Sequence, residues 1–252
     1  MSRSNLKRLW AAFLIATAGT ASGGEVASSE SIPRHLALAR ELVATVRPEN
    51  NKYSYTGPHG VRWKGDLFAT ENSVNTMCTG LVSAVLERAK SPTTSEIKSK
   101  SNWKGYLRVT NYFEAVTNGY GLEKIDSLKN ASPGDLFVFL CKDTCSSSEG
   151  PALGHVAIID VKPVQKSPTP PLIEGTLQWV MTVIDSSDVP HSFDDTRLRP
   201  QNQSKVTGVG RGTYRIYTDM TGVPLGYTNG PRGPKFLSID ARPIAIGRPV
   251  PY

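Results

Sequence analysis

Acidic residues are absent from the first 24 positions of this 252-residue chain, although these positions contain Arg3, Lys7 and Arg8. The apolar run that follows them, residues 9–16, is too short to cross a bilayer, which requires about 20 residues. A basic stretch, an apolar stretch and then small residues are the order typical of a secretory signal. We therefore predict that residues 1–24 are a signal peptide and that the mature protein is periplasmic or secreted. The alternative is a retained amphipathic helix.

The chain as a whole shows little excess of either charge. It has 29 Lys and Arg against 22 Asp and Glu, a net charge of +7. Without the three basic residues of the predicted signal, 26 remain against 22, a net charge of +4. This small excess gives no reason to expect a nucleic-acid partner. No repeat of solenoid spacing and no apolar run of membrane-spanning length is present, so we predict one domain over residues 25–252 with no stable membrane span.

Cysteine is scarce, and its count is odd: Cys78, Cys141 and Cys145. In an oxidising compartment, an odd cysteine indicates a free reactive thiol or an intermolecular bridge. Cys141 and Cys145 are close enough in sequence to close a small loop between them, which would leave Cys78 unpaired. The other two pairings stay open at this point.

The periodicity of apolar residues changes along the chain. Helical spacing predicts three early helices, at residues 31–47, 78–89 and 105–117. Short apolar runs bounded by turn residues then predict strands at residues 136–140, 154–161, 180–185, 212–218 and 243–246. Helices followed by strands are typical of an α+β fold. We expect N-terminal helices packed on a largely antiparallel β-sheet.

Cys78 lies where the second helix is predicted to begin. Unpaired backbone N–H groups and the helix dipole favour a negative charge at that position, and a thiolate is the nucleophilic form of cysteine. The alternative is a buried structural cysteine, because cysteine also behaves as a small hydrophobic residue.

His155 and Asp185 have positions that suit the other two roles of a catalytic triad. His155 begins a predicted strand and could act as a general base. Asp185 ends the next long strand and could orient the imidazole from a neighbouring strand. A packing histidine and a strand-capping aspartate are the alternatives. The order nucleophile, base and orienter is more informative than any one of these residues.

Three motifs in this order resemble the NlpC-type family of papain-like cysteine hydrolases, and their layout is similar to that of the CHAP amidases. They are MCTGLV at residues 77–82, ASPGDLFVF at residues 131–139 and GHVAII at residues 154–159. The resemblance implies a papain-like fold with Cys78 as nucleophile and His155 as base. Asp185 corresponds to the third polar residue, which is usually His, Asn or Gln in the family.

The resemblance also implies a cysteine peptidase or amidase that cleaves a peptide or amide bond in peptidoglycan, without a cofactor. Family members place a tyrosine near the oxyanion site; we assign Tyr55 to it, with Tyr53 as the alternative. The likeness covers about residues 50–190 and leaves residues 191–252 as a β-rich C-terminal extension. It does not include the segment between Cys141 and Cys145. The rival hypothesis is a non-catalytic exported binding protein that holds a wall fragment or a partner protein on the same fold.

Other signals favour structural roles. The GVGRG segment at residues 208–212 precedes a strand instead of linking a strand to a helix, which argues against a dinucleotide site. Cys141, Cys145 and His155 lack a recognisable fourth ligand, so no metal site is expected. Residues 194–197 are expected to form a loop ion-pair cluster, with a substrate contact as the alternative.

Overall fold

A computed structural model describes residues 31–55, 60–147, 150–198 and 206–250. The predicted signal peptide lies outside these residues. Residues Ile32–Tyr252 form one compact unit. Within the described part of the chain, no helix is both long enough and apolar enough to cross a membrane.

Four α-helices occupy the first half of the chain. They are α1 (Arg34–Thr45), α2 (Cys78–Arg88), α3 (Thr93–Lys100) and α4 (Val109–Asn118). Three of them, α1, α2 and α4, confirm the predicted helices, with ends that differ by up to four residues. Helix α4 begins later than predicted because the Asn111 side chain accepts a hydrogen bond from the Arg108 backbone N–H (2.9 Å) and so caps its first turn. Helix α3 was not predicted, because Ile97 is its only large apolar residue.

Twelve β-strands are found in the described residues, and the five predicted strands are among them. They are β1 (Asn51–Lys52), β2 (Gly60–Arg62), β3 (Ser73–Asn75), β4 (Leu122–Lys124), β5 (Leu136–Ser147), β6 (Gly150–Ile159), β7 (Val164–Lys166), β8 (Leu177–Ser187), β9 (Gly208–Thr218), β10 (Pro224–Asn229), β11 (Leu237–Ser238) and β12 (Ile244–Pro249). Two single turns of 3₁₀ helix, Pro48–Asn50 and Leu128–Asn130, lie in the connections.

Nine of the strands form one sheet in the order β11-β10-β9-β8-β6-β5-β12-β4, with β7 also paired to β8. All of these pairings are antiparallel. Strands β1, β3 and β2 form a second, small sheet in which β1 and β3 are parallel. The fold is therefore α+β with a largely antiparallel sheet, as predicted.

Helices α2 and α4 both pack against strand β6 near the middle of the large sheet. One apolar cluster joins the helices to the sheet through residues such as Leu81, Val85 and Val156. A second apolar cluster consists mainly of strand residues, among them Phe137 and Trp179. Because β6 contributes alternate residues to the two clusters, the strand that carries His155 is held from both faces.

The C-terminal residues are β-rich, as predicted, and they are integral to the large sheet. Strand β9 pairs with β8 from Leu177↔Thr218 to Ser187↔Gly208, and β12 lies between β5 and β4. The segment without a counterpart in the resemblance therefore completes the sheet that carries the predicted site.

Candidate active site

Cys78, His155 and Asp185 converge in the structure. Cys78 is the first residue of α2, His155 lies on β6, and Asp185 lies near the end of β8. The His155 Nε2 atom is 2.5 Å from Asp185 Oδ2, and the side chains of His155 and Cys78 also share a hydrogen bond. Since Nε2 is bonded to the carboxylate, Nδ1 remains for the sulfur. The three residues therefore stand in the order that a nucleophile, a base and an orienting carboxylate would require.

A hydrogen bond from a side chain to the backbone holds the start of α2 against β8. The Ser186 hydroxyl donates a 2.6 Å hydrogen bond to the carbonyl of Thr76, two residues before Cys78. On the neighbouring strand, Gly154 has φ +144°, and a Cβ atom there would collide with the carbonyl oxygen of Phe139. The glycine before His155 therefore allows close approach of β5 and β6. These contacts place the thiol and the imidazole together.

The charges of Cys78 and Asp185 favour the protonated form of His155. Burial on its own would lower the pKa of His155, but the negative charges of Cys78 and Asp185, with their hydrogen bonds, raise that pKa to about 10. The side chain of His155 is 12% exposed and Cys78 is 6% exposed. The imidazolium form of His155 is therefore favoured in a nearly buried site.

Asp185 accepts hydrogen bonds from two histidines and one arginine. Besides His155, its Oδ2 atom is 2.5 Å from Nε2 of His191, and its Oδ1 atom accepts a 2.8 Å bond from Nη1 of Arg197. Asp185 is fully buried. Burial alone would raise the pKa of Asp185, but Arg197 foremost and then the two histidines hold it well below its ordinary value.

Arg197 in turn makes a bidentate ion pair with Asp195. Its Nε and Nη2 atoms each lie 2.8 Å from a carboxylate oxygen of Asp195. The guanidinium is buried, so a paired partner on each side is needed to offset its desolvation. The predicted ion-pair cluster is thus confirmed for Asp195 and Arg197, and it reaches the candidate triad.

Two glycines of the GVGRG segment make room for this ion pair. Strand β9 begins at Gly208, so the segment is part of the strand. A Cβ atom at Gly210 would collide with the side chain of Arg197, and one at Gly212 would collide with Asp195. The glycines permit close packing of charged side chains on the strand.

Tyr53 lies close enough to Cys78 to feel its charge. Burial, then the charge of Cys78 and then a hydrogen bond with Tyr55, raises the pKa of Tyr53. The two tyrosine rings meet edge to face, with centroids 5.4 Å apart. Tyr55, which we assigned to the oxyanion site, thus contacts the tyrosine whose pKa is raised in part by the charge of Cys78.

His155, Asp185 and His191 are also the described residues that come closest to a metal-binding set. Two ligands of one zinc ion, each about 2.1 Å from it in tetrahedral geometry, lie about 3.4 Å apart. Both histidine nitrogens are instead 2.5 Å from the same carboxylate oxygen. Arg197 already bonds the other oxygen. This geometry is that of a hydrogen-bonded carboxylate.

Cys141 and Cys145 form a disulfide bond, and the thiol of Cys78 is free. Of the three pairings that the sequence allowed, this one leaves the thiol beside His155 available for chemistry.

Comparison with known proteins identifies a relative but no activity. The chain is 25% identical over 224 residues to an uncharacterized protein of Acanthamoeba polyphaga mimivirus. The aligned region covers 86% of this chain and 96% of the viral protein. No family model matches the chain. No solved structure matches it either.

His191 and Arg197 are the site residues that the sequence analysis did not assign to the site. Both lie between β8 and β9, in a segment rich in polar residues. The alternation of glycines in GVGRG was the available signal, because small residues on one face of a strand leave space for large partners. That signal does not say which side chains fill the space.

Proposed function

We propose that the protein is an exported cysteine peptidase or amidase with a papain-like arrangement, which hydrolyses a peptide or amide bond in peptidoglycan. The observation that carries this proposal is the convergence of Cys78, His155 and Asp185 through direct hydrogen bonds. The N-terminal charge pattern supports export, and the three sequence motifs support the choice of substrate.

In the proposed reaction, the Cys78 thiolate attacks the carbonyl carbon of the substrate, and the carbonyl electron pair moves to oxygen. The backbone N–H of Cys78 and the hydroxyl of Tyr53 or Tyr55 stabilise the resulting oxyanion. The His155 imidazolium then donates its proton to the leaving amine, which yields a thioester. Water attacks the thioester with His155 as base, and the products are a carboxylic acid and the restored thiol. Asp185 stays ionised and orients the ring.

The test is to incubate the purified mature protein with peptidoglycan and to identify the released fragments by mass spectrometry. We expect Cys78→Ala to lose all turnover. The matched control is the double variant Cys141→Ser, Cys145→Ser, which removes the other two cysteine sulfurs and should retain turnover. Full activity in Cys78→Ala would contradict the proposal.

The second candidate is a non-catalytic exported protein that binds a wall fragment or a partner protein. The burial of Cys78, which is only 6% exposed, favours this alternative. It predicts that the wild type binds peptidoglycan fragments without cleaving them and that Cys78→Ala binds equally well. Fragment release by the wild type, lost in Cys78→Ala, would reject it.

A further inference from the structure

His191 is a second histidine on the carboxylate that holds the candidate base. Its Nε2 atom and that of His155 each lie 2.5 Å from the same oxygen, Oδ2 of Asp185. The two rings meet edge to face, with centroids 5.6 Å apart. The side chain of His191 is 6% exposed, against 12% for His155. His191 is therefore the more buried of the two histidines that contact the Asp185 carboxylate.

Arg197 and His191 together restrain both oxygens of this carboxylate. Arg197 donates to Oδ1, and His191 donates to Oδ2. A carboxylate held at one oxygen only can still turn about its Cβ–Cγ bond, whereas one held at both oxygens cannot. The position of Oδ2, which accepts the hydrogen bond from His155, is thereby fixed. A fixed acceptor sets the plane of the imidazole ring and hence the direction in which its Nδ1 atom points toward the sulfur of Cys78.

His191 is itself held from two sides. Its backbone N–H donates a 2.9 Å hydrogen bond to Oδ2 of Asp195, the ion-pair partner of Arg197. The hydroxyl of Tyr214 lies 3.2 Å from both nitrogens of the ring, and the two rings pack together with centroids 4.6 Å apart. Since the ionised carboxylate of Asp185 can only accept hydrogen bonds, Nε2 of His191 is the donor in its contact with Oδ2.

We propose that His191 is a positioning residue, which locks the Asp185 carboxylate so that His155 stays aligned with Cys78. This inference rests on the proposed hydrolase function. The role requires an N–H donor at the place of Nε2 and no contact with the substrate. The proposed role concerns a histidine that belongs to none of the family motifs and lies in the C-terminal part of the chain.

The decisive variants are His191→Gln and His191→Asn. The amide nitrogen of glutamine can take the place of Nε2, whereas that of asparagine stops short of it. We expect His191→Asn to lower kcat by ~10- to 100-fold, the loss that follows from misalignment by about 1 Å. KM should change little, and His191→Gln should restore most of kcat. Circular dichroism and thermal unfolding of both variants control for folding.

Alkylation of Cys78 by iodoacetamide at neutral pH separates this inference from the proposed function, since it requires no substrate. The inference predicts that His191→Asn slows alkylation by ~10-fold or more and that His191→Gln does not. If the wild type lacks turnover but this difference is found, the hydrolase proposal fails and the positioning role stands. Equal alkylation and equal kcat in the two variants would overturn the positioning role. Tyr214→Phe, which removes the hydroxyl beside the His191 ring and keeps the ring contact, gives an independent check and should show a smaller loss of the same kind.

Discussion

Two buried carboxylates, one at the end of β6 and one on the neighbouring strand β8, are each held by basic side chains but differ in chemistry. Asp160 directly follows β6 and pairs with Arg40 of α1 and Arg211 of β9. Asp185 of β8 pairs with His155, His191 and Arg197. Both carboxylates are nearly inaccessible, with 4% and 0% side-chain exposure. Burial and ion pairing are thus common to the two clusters and do not by themselves indicate a catalytic site.

The difference lies in the partners. The side chains of Arg40 and Arg211 are 36% and 46% exposed, and arginine keeps its proton at any ordinary pH. That cluster ties α1 to the sheet. His155 can gain and lose a proton, and it also contacts a free thiol. A titratable partner that reaches a nucleophile therefore distinguishes the candidate active site from the structural one.

The largest contrast is expected between Asp185→Asn and Asp160→Asn. The first change removes the negative charge that orients His155, and we expect turnover to fall on the order of 10³-fold. The second change should leave turnover within about twofold, because Asp160 contacts no residue of the triad. Fragment release from peptidoglycan measures both, with thermal unfolding as a control. Comparable losses in the two variants would remove the distinction between the clusters.

A smaller contrast is expected between Arg197→Met and Arg211→Met. Without Arg197, Asp185 and Asp195 are left as buried charges with one cation fewer, which we expect to lower the free energy of unfolding by ~3–5 kcal/mol. Without Arg211, Asp160 keeps Arg40, and the lost pair is half-exposed, so a loss of about 1 kcal/mol or less is expected. Urea unfolding measures both quantities. Equal destabilisation would show that the depth of burial does not separate the clusters.

Much of the fold could be predicted, because its long elements have clear periodicity. Strands β5, β6 and β8 contain apolar runs between turn residues, and α2 has an apolar stripe. The elements that were not predicted are short or polar. Strand β11 has two residues, and α3 buries a single large apolar side chain. Such elements form because of neighbours that are distant in sequence.

The site could be predicted only in part for the same reason. Cys78 and His155 were found from position and motif, and Asp185 from its place at a strand end. His191 and Arg197 depend on the pairing of β8 with β9, which places Gly210 opposite Asp185 and makes room for the guanidinium. Tertiary contacts decide how closely the loop between β8 and β9 approaches these strands. No local sequence pattern encodes that distance.

The central claim, that Cys78 and His155 act as a unit, is tested most directly by the rate of Cys78 alkylation as a function of pH. Because the pKa of His155 is raised to about 10, its ring keeps the proton below that pH and loses it above. We predict that the wild-type alkylation rate changes near pH 10, because the charge on the ring beside the sulfur is lost there. In His155→Ala we predict no change at that pH that matches the wild type, because the group that titrates there has been removed. A wild-type profile that coincides with that of His155→Ala would contradict the account.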